Sequence, residues 1–366
     1  MRNRYLFILL LFSFAKVFAQ ENRVTLLFAG DAMQHLPQIY ATKKDSGYYY
    51  DSVFELVKEK ISQADIAGVN FETTLGGKPY RGYPTFSSPN EFATALHNAG
   101  FDIFFTANNH ALDTGKKGLE QTIRVIKELG AKQTGTFESQ EKRDLQYPLM
   151  IIKNGIRIAF LNYTYGTNGL VVESPNTINL IDTVVIKKDL VTASLLKPDI
   201  MIAVMHWGEE YHTRPSKKQK ETAQFLVKNG VRIVIGHHPH VVQPVEISSE
   251  NDNITHATFY SLGNFVSNQR KINTDGGMIA EIVLNKTSDS EGENSLVNIE
   301  SVDYSFVWVH KYYKVKKPVY RLLPIKCKDI DKEKSMPQSN YNLTPYEQKS
   351  LERFVKAANK NAVTPL

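Results

Sequence analysis

The sequence predicts an α/β fold, a central and largely parallel sheet covered by helices on both faces, and three observations carry that prediction. Short apolar runs rich in β-branched residues alternate with amphipathic stretches from about Arg23 to Leu284, the order that builds parallel sheets through helical crossovers. Clusters of carboxylate, amide and imidazole residues follow directly on five of those runs, where open α/β sheets place their ligand sites. The 366 residues are 42% hydrophobic and 22% charged, an ordinary globular balance with enough chain for one large domain or two smaller ones.

The elements follow in order. Arg2 and Arg4 precede the apolar run from Tyr5 to Phe14, and Val17-Phe18-Ala19 supplies a small-residue cleavage site before Gln20. Residues 1–19 therefore read as a secretory signal peptide, with an uncleaved membrane anchor as the competing reading; the run is about half of the roughly 20 residues that span a bilayer, and Lys16 follows it. No further transmembrane span is expected, and export places the protein in the periplasm or on the cell surface. Strands are expected at Val24 to Phe28, Ile66 to Val69, Asp102 to Phe105, Ile156 to Leu161, Ile200 to Val204 and Val231 to Ile235. Between them, Val53, Leu56, Val57 and Ile61 recur at helical spacing, as do Leu119, Ile123, Ile126 and Leu129 ahead of Gly130. Phe225 and Leu226 continue the pattern before Asn229-Gly230. Further strands are expected at Thr258 to Leu262 and Met278 to Leu284, closing a main domain over 20–284. A polar linker over 285–295 leads to C-terminal strands, Val297 to Val309 and Val319 to Ile325, within a segment 296–366 packed on that domain. Thr344-Pro345-Tyr346-Glu347 has the form of a capping box with proline at the first helical position, which opens a terminal helix through about Ala358. Tyr48-Tyr49-Tyr50 suits a binding surface or simple packing, and packing is the commoner outcome.

Chemistry concentrates at the strand ends. Gly236-His237-His238-Pro239-His240 sets three imidazoles in four positions after the run VRIVI, and neutral imidazole is the commonest protein metal ligand. The other ends carry Gly30-Asp31, Asn70-Phe71-Glu72, Asn108-Asn109-His110 with Asp113, and His206-Trp207-Gly208-Glu209-Glu210. Singly, each has a bland reading: Asp31 as a helix cap, Glu72 paired with a lysine, Asn109 in a turn, His110 or His206 satisfied in the core. Together they fall where one sheet edge would gather them, which suits a binuclear hydrolytic centre clamping a phosphoryl group between two cations. No G-x-S-x-G elbow is present, and Ser261 lacks that turn context. Neither a P-loop nor a G-x-G-x-x-G fingerprint occurs. Glu209 and Glu210 leave glycoside hydrolysis open as a secondary reading.

The motifs GDAM at 30–33, NFETTL at 70–75, NNHALDTG at 108–115, HWGEEY at 206–211, GHHPHVVQ at 236–243 and YSLGNF at 260–265 resemble, in order, those of the CapA family of bacterial capsule-synthesis proteins associated with poly-γ-glutamate. The resemblance covers about residues 24–284 and implies a four-layer α/β sandwich of metallophosphatase type, similar to the calcineurin-like metallophosphoesterases, with added C-terminal strands and a terminal helix. It also implies one or two divalent ions (manganese, zinc or iron), with Asp31, Glu72, Asn109, His206, His238 and His240 at ligand positions. His110 matches the general acid and Asp113 the residue that orients it; His237, Glu210 and Asn264 are expected to touch substrate. Two departures stand out: Asp31-x-Met33 replaces the usual Asp-x-His, and Asn70-Phe71-Glu72 replaces G-D-x-x-D.

The implied role is capsule-polymer synthesis or export through a metal-dependent, hydrolytic site, with an anionic envelope polymer or a phosphorylated substrate as partner and other capsule-synthesis proteins as further expected partners. A non-catalytic polymer-binding protein and a general envelope phosphoesterase are the alternatives. The net charge of +6 falls to +3 once the leader's Arg2, Arg4 and Lys16 are removed, too little to argue for nucleic acid. Cys327 is the only cysteine, so neither an internal disulfide nor a thiolate metal cage is available.

Overall fold

The computed structural model describes residues 22–288, 295–325, 341 and 343–363; the leader and Cys327 lie outside them. Within it the alternating runs form two sheets packed face to face, with helices on both outer surfaces. The first sheet carries Lys132–Thr134, Ile103–Phe105, Ile66–Phe71 and Arg23–Ala32 in parallel, then Gly276–Ser288, Ser295–Lys314 and Lys317–Ile325 in antiparallel order. The second carries Asn253–Phe259, Val231–His237, Ile200–His206 and Ile156–Thr164 in parallel, edged by the antiparallel Val245–Glu250 and Leu149–Lys153. Between the two, Ser295–Lys314 meets Asn253–Phe259 through Ile254 and Ile299.

Side-chain alternation explains the layering. Phe28 and Phe105 of the first sheet meet Phe160 of the second, at ring separations of 6.4 and 6.2 Å, inside one shared core. The alternate residues Leu27, Ala29, Val69 and Phe104 face helices Asp51–Ser62, Asn90–Asn98 and Gly115–Glu128, which contribute Val57, Leu96 and Ile126. On the far side Leu161, Ala203 and Val234 face helices Thr183–Leu195 and Lys217–Lys228, through Leu190 and Leu226. Helix, sheet, sheet, helix: the protein is a four-layer α/β sandwich.

The expected polar linker is in part a strand. Residues 285–288 continue Gly276–Ser288 and pair with 295–298, because this hairpin extends past the core and its outer residues can be polar. The segment expected at Thr258 to Leu262 is strand only to Phe259; beyond it the chain leaves the sheet to cross between the two. The Thr344 capping box forms, with Glu347 N–H donating to Thr344 Oγ1 at 3.3 Å and Thr344 N–H donating to Glu347 Oε2 at 2.8 Å. Helix Pro345–Ala362 buries Leu351, Phe354, Val355 and Ala358 against the inter-sheet core. Of the tyrosine triplet, Tyr50 is buried and donates to Gln34 Oε1, while Tyr49 is exposed.

Residues 260–266 stitch the sheets together at their carboxyl ends. Leu262 N–H donates to Gly236 O at 3.0 Å, and Asp31 N–H donates to Gly263 O at 2.9 Å. Such close backbone crossing explains why Gly30 and Gly236 precede the acidic and histidine motifs. A Cβ on Gly236 would stand 2.0 Å from Tyr260 O, and one on Gly30 2.0 Å from Gly263 O. Gly236→Ala is accordingly expected to lower unfolding free energy by roughly 1–3 kcal/mol, the usual range for overpacking. Urea unfolding checks this against Gly166→Ala, whose added methyl meets no atom within 4 Å and which should unfold like the parent.

Candidate metal centre

Both sheets aim their carboxyl ends at one polar cluster. Asp31 closes Arg23–Ala32, Asn70 and Glu72 end and follow Ile66–Phe71, and Asn108, Asn109 and His110 follow Ile103–Phe105. From the second sheet come His206 at the end of Ile200–His206, and His237, His238 and His240 at and after the end of Val231–His237. All ten are buried.

Asp31 is the meeting point. Its Oδ1 accepts from Asn70 Nδ2 at 2.8 Å; its Oδ2 lies 3.0 Å from His240 Nδ1 and receives His238 N–H at 3.3 Å. Burial pushes this carboxyl up, but contacts with His237 and His240 outweigh it and hold Asp31 well below the usual range. Glu72 has the opposite fate: burial and the adjacent Asp31 charge raise it well above its usual value. Asn70 Nδ2 also donates to Glu72 Oε2 at 3.1 Å, so one amide bridges the two carboxyl groups.

Hydrogen bonding also fixes His240. Its Nδ1 stands between Asp31 Oδ2 and Asn264 Oδ1, at 3.0 and 3.1 Å, and both partners are acceptors because Asn264 Nδ2 is committed to Thr274 O at 2.9 Å. The proton therefore sits on Nδ1, leaving the Nε2 lone pair free, the arrangement found in metal-ligating histidines. That Nε2 is 3.8 Å from Glu72 Oε1, and so is His206 Nε2. His206 Nε2 is in turn 2.7 Å from Asn109 Oδ1. His238 and His240 adopt φ of 95° and 58°, left-handed values that cost non-glycine residues on the order of 1–3 kcal/mol each and recur where function fixes the backbone. Burial drives the His238 imidazole down to about 3, with a contribution from His240, and takes His206 well below its ordinary value. These two imidazoles are thus neutral, each with one ring nitrogen's lone pair to donate.

This donor set fits a cation. Glu72 Oε1 has no hydrogen-bond partner although it is buried, and neither has His238 Nδ1. A gap of 3.8 Å is too long for a hydrogen bond, whereas ligand atoms about 2.0–2.2 Å from a shared ion stand roughly 3–4 Å apart. Two groups place one ligand atom from each member within 4.8 Å of one another: Glu72, His238 and His240, and Asp31, Glu72 and His206. Glu72 belongs to both.

His110 lies beside this cluster. Its Nδ1 is 2.7 Å from Asp113 Oδ2, which also accepts Phe86 N–H at 2.6 Å, and the Phe86 ring meets the imidazole edge-on at 4.6 Å. The expected substrate contacts divide. Glu210 is exposed, next to Tyr211. His237 and Asn264 are both buried, His237 3.3 Å from Asp31 and Asn264 bound to His240. Tyr165 was absent from the expected set, yet its ring covers His238 at 4.6 Å. Asn168, which accepts from Asn109 Nδ2 at 3.1 Å, was absent too. Both follow the end of Ile156–Thr164, a sixth strand end to which the same rule applied.

Residues 25–269 match the family model described as bacterial capsule synthesis protein PGA_cap. The chain belongs to that family. Among its relatives, the capsule biosynthesis protein CapA of Bacillus anthracis is 31% identical over 264 residues, 68% of this chain and 61% of the relative. The PGA biosynthesis protein CapA of Bacillus subtilis is 27% identical over 279 residues, 74% of this chain and 70% of the relative. Of solved structures, the calcineurin-like phosphoesterase YfkN from Bacillus subtilis aligns with a TM-score of 0.45 at 14% identity, over 78% of this chain and 90% of that one. In this PGA_cap member the six sequence motifs occupy the strand ends and crossing segment described above. Among the described residues no helix is long and apolar enough to cross a membrane.

His35, beside Phe86 at 5.2 Å, offers a test of the buried mouth. Burial lowers its imidazole to about 4, and its Nδ1 accepts Asn268 N–H at 3.3 Å. The unfolded chain takes up this proton near 6.5, the folded chain only near 4, so stability is retained above 6.5 and lost as pH falls towards 4. Other buried histidines add to the parent's loss, so the comparison is with His35→Leu. Its drop in unfolding free energy between pH 7 and 4.5 is expected to be smaller by about 2 kcal/mol, measured by urea titration at each pH.

Proposed function

We propose that this protein is an exported, metal-dependent phosphoester hydrolase acting in the synthesis or export of an anionic capsule polymer of the poly-γ-glutamate class. The observation that carries the metal site is Glu72 Oε1, buried without a hydrogen bond and equidistant from His206 Nε2 and His240 Nε2. The N/O donor set suits manganese, zinc or iron, held by Glu72, His238 and His240 and by Asp31, Glu72 and His206 with Asn109. Such cations supply positive charge against that developing on a phosphoryl group. Because Glu72 belongs to both groups, it would contribute a ligand to a cation held in either. Export rests on the basic, apolar leader with its Val17-Phe18-Ala19 site.

The side chains divide the remaining work. Asp113 accepts the Nδ1–H of His110, so the imidazolium form of that ring would give its Nε2 proton to the leaving oxygen and end as the neutral Nδ1–H tautomer. Phe86 fixes that geometry twice, by its N–H on Asp113 and its ring against His110. Tyr165 lies against His238, and the half-buried His35 packs on Phe86.

A second reading has one observation in its favour. Met33, buried, occupies the sequence position where the resembling phosphoesterases carry the histidine of Asp-x-His, and a thioether is a soft and weak ligand for manganese or zinc. A protein with one well-held cation could grip a polyanionic chain without cutting it.

Metal content by plasma mass spectrometry separates these outcomes. One or two equivalents are expected in the parent and a loss of at least one in His238→Ala/His240→Ala with an unchanged circular dichroism spectrum; no metal in either protein after incubation with manganese, zinc and iron would sink the hydrolase. His110→Ala is expected to keep its metal while turnover of an aryl phosphate falls by about 10²–10⁴. Loss of metal from that variant would refute its assignment as the acid.

A further inference from the structure

We propose that Tyr211 and Lys271 form a subsite at the rim of the metal centre that takes an anionic group of the substrate, one carried beside the bond that is cut. The position of that bond rests on the hydrolase reading above; the subsite itself rests on how these two residues are held.

Tyr211 is keyed to the histidine loop. Its backbone has φ of 69°, a left-handed value for a bulky residue, and its N–H donates to Pro239 O at 2.8 Å. The tether places the Tyr211 ring 6.2 Å from the His240 ring. Lys271 lies over that ring, its Nζ 3.7 Å from the centroid. The lysine reaches His240 from the other direction as well. Lys271 O accepts both Thr274 N–H and Thr274 Oγ1, at 3.1 and 2.9 Å, while Thr274 O accepts Asn264 Nδ2, whose partner oxygen binds His240 Nδ1. Two independent routes thus tie the backbones of Tyr211 and Lys271 to the His240 loop, and the cation–π contact joins their side chains.

An exposed lysine lying on a tyrosine is common and often does nothing beyond cover the ring. Here the ammonium lacks the counterion such lysines often have. Among the described residues no carboxylate comes within ion-pair distance of Lys271, although Glu210 borders the hydroxyl of its own tyrosine. By contrast, Lys286 on the far side of the molecule is paired with Asp199 at 3.0 Å. A cation–π contact holds a charge in place without neutralising it, so Lys271 keeps its outward face for an anion. A fixed positive charge at the mouth of a buried site also steers anions towards it. The substrate class that follows is a phosphoester bearing a further carboxylate or phosphate within a side chain's reach of the scissile group. A phosphoester whose only charge is at the reacting phosphorus would gain little from it.

The test compares 4-nitrophenyl phosphate with two analogues, one carrying a carboxylate on the ring and one a second phosphate, on manganese-loaded protein. The readout is the ratio of kcat/KM for each analogue to that for the parent ester. In Lys271→Met, which keeps the apolar stem over Tyr211, at least one ratio is expected to fall about tenfold, and the analogue that loses more identifies the anion. Lys271→Arg should restore it, and Tyr211→Leu, which removes the platform, should mimic the loss. Ratios unchanged in Lys271→Met overturn the subsite. If the parent protein turns over none of the three esters, it is the hydrolase reading that fails. The subsite is then judged by calorimetric titration with hexaglutamate: binding weakened about tenfold in Lys271→Met supports it, and unchanged or absent binding overturns it.

Discussion

Asp31 remains ionised with no access to water, and most of the architecture around it serves that condition. An isolated carboxylate in such a place would be driven to its neutral form. Asp31 escapes because partners reach it from both halves of the molecule: Asn70 from the first sheet, and His240 with the His238 backbone from the second. The contacts from His240 and His238 exist only once the two sheets have docked. The charged state of one side chain is therefore a readout of the whole sandwich, and the packing of Phe28 against Phe160 some distance below is part of its electrostatics. Glu72 lies next to it without equivalent compensation, which is why it is pushed towards its neutral form and why a positive charge between it and the imidazoles would resolve the conflict.

Backbone strain and close packing gather at the same place. Left-handed conformations at His238 and His240 are unfavourable in isolation, yet they follow a glycine that lets 260–266 cross at hydrogen-bonding distance and precede a tether to Tyr211. The surrounding contacts over-determine the loop. A loop so fixed presents its imidazoles with little reorganisation, as a coordinating or catalytic centre requires. Asn264 shows the same economy: one amide orients His240 with its oxygen and secures the 269–274 turn with its nitrogen.

Much of this was legible in the sequence, for identifiable reasons. Strands buried on both faces are written as continuous apolar runs, so Ile66–Phe71, Ile200–His206 and Val231–His237 could be located within a few residues. The convergence of their ends followed from parallel topology. Helix Thr183–Leu195 was illegible because Val184, Val185, Val191 and Leu195 are exposed, which blurs the periodicity that Ile186, Leu190 and Ala193 would otherwise show. Division into two sheets was equally hidden from periodicity, since a strand buried between sheets and one buried between helices look alike in sequence; the motif resemblance supplied it. Burial decided the remaining roles. His237 and His238 are neighbours of identical chemistry, and only the three-dimensional placement sends one behind Asp31 and the other towards Glu72.

The strand Gly276–Ser288 bears on what counts as a complete unit in this family. It lies between Arg23–Ala32 and Ser295–Lys314, in the interior of the first sheet, yet it begins beyond residue 269, where the family match ends. A chain divided there would leave the strand carrying Asp31 with a bare flank along its upper length and the inter-sheet core open at one side. The boundary drawn by sequence similarity is thus a boundary of shared chemistry, while the autonomous folding unit extends further. Whatever chain lies along that seam is constrained by the edge it covers more than by the residues it carries there.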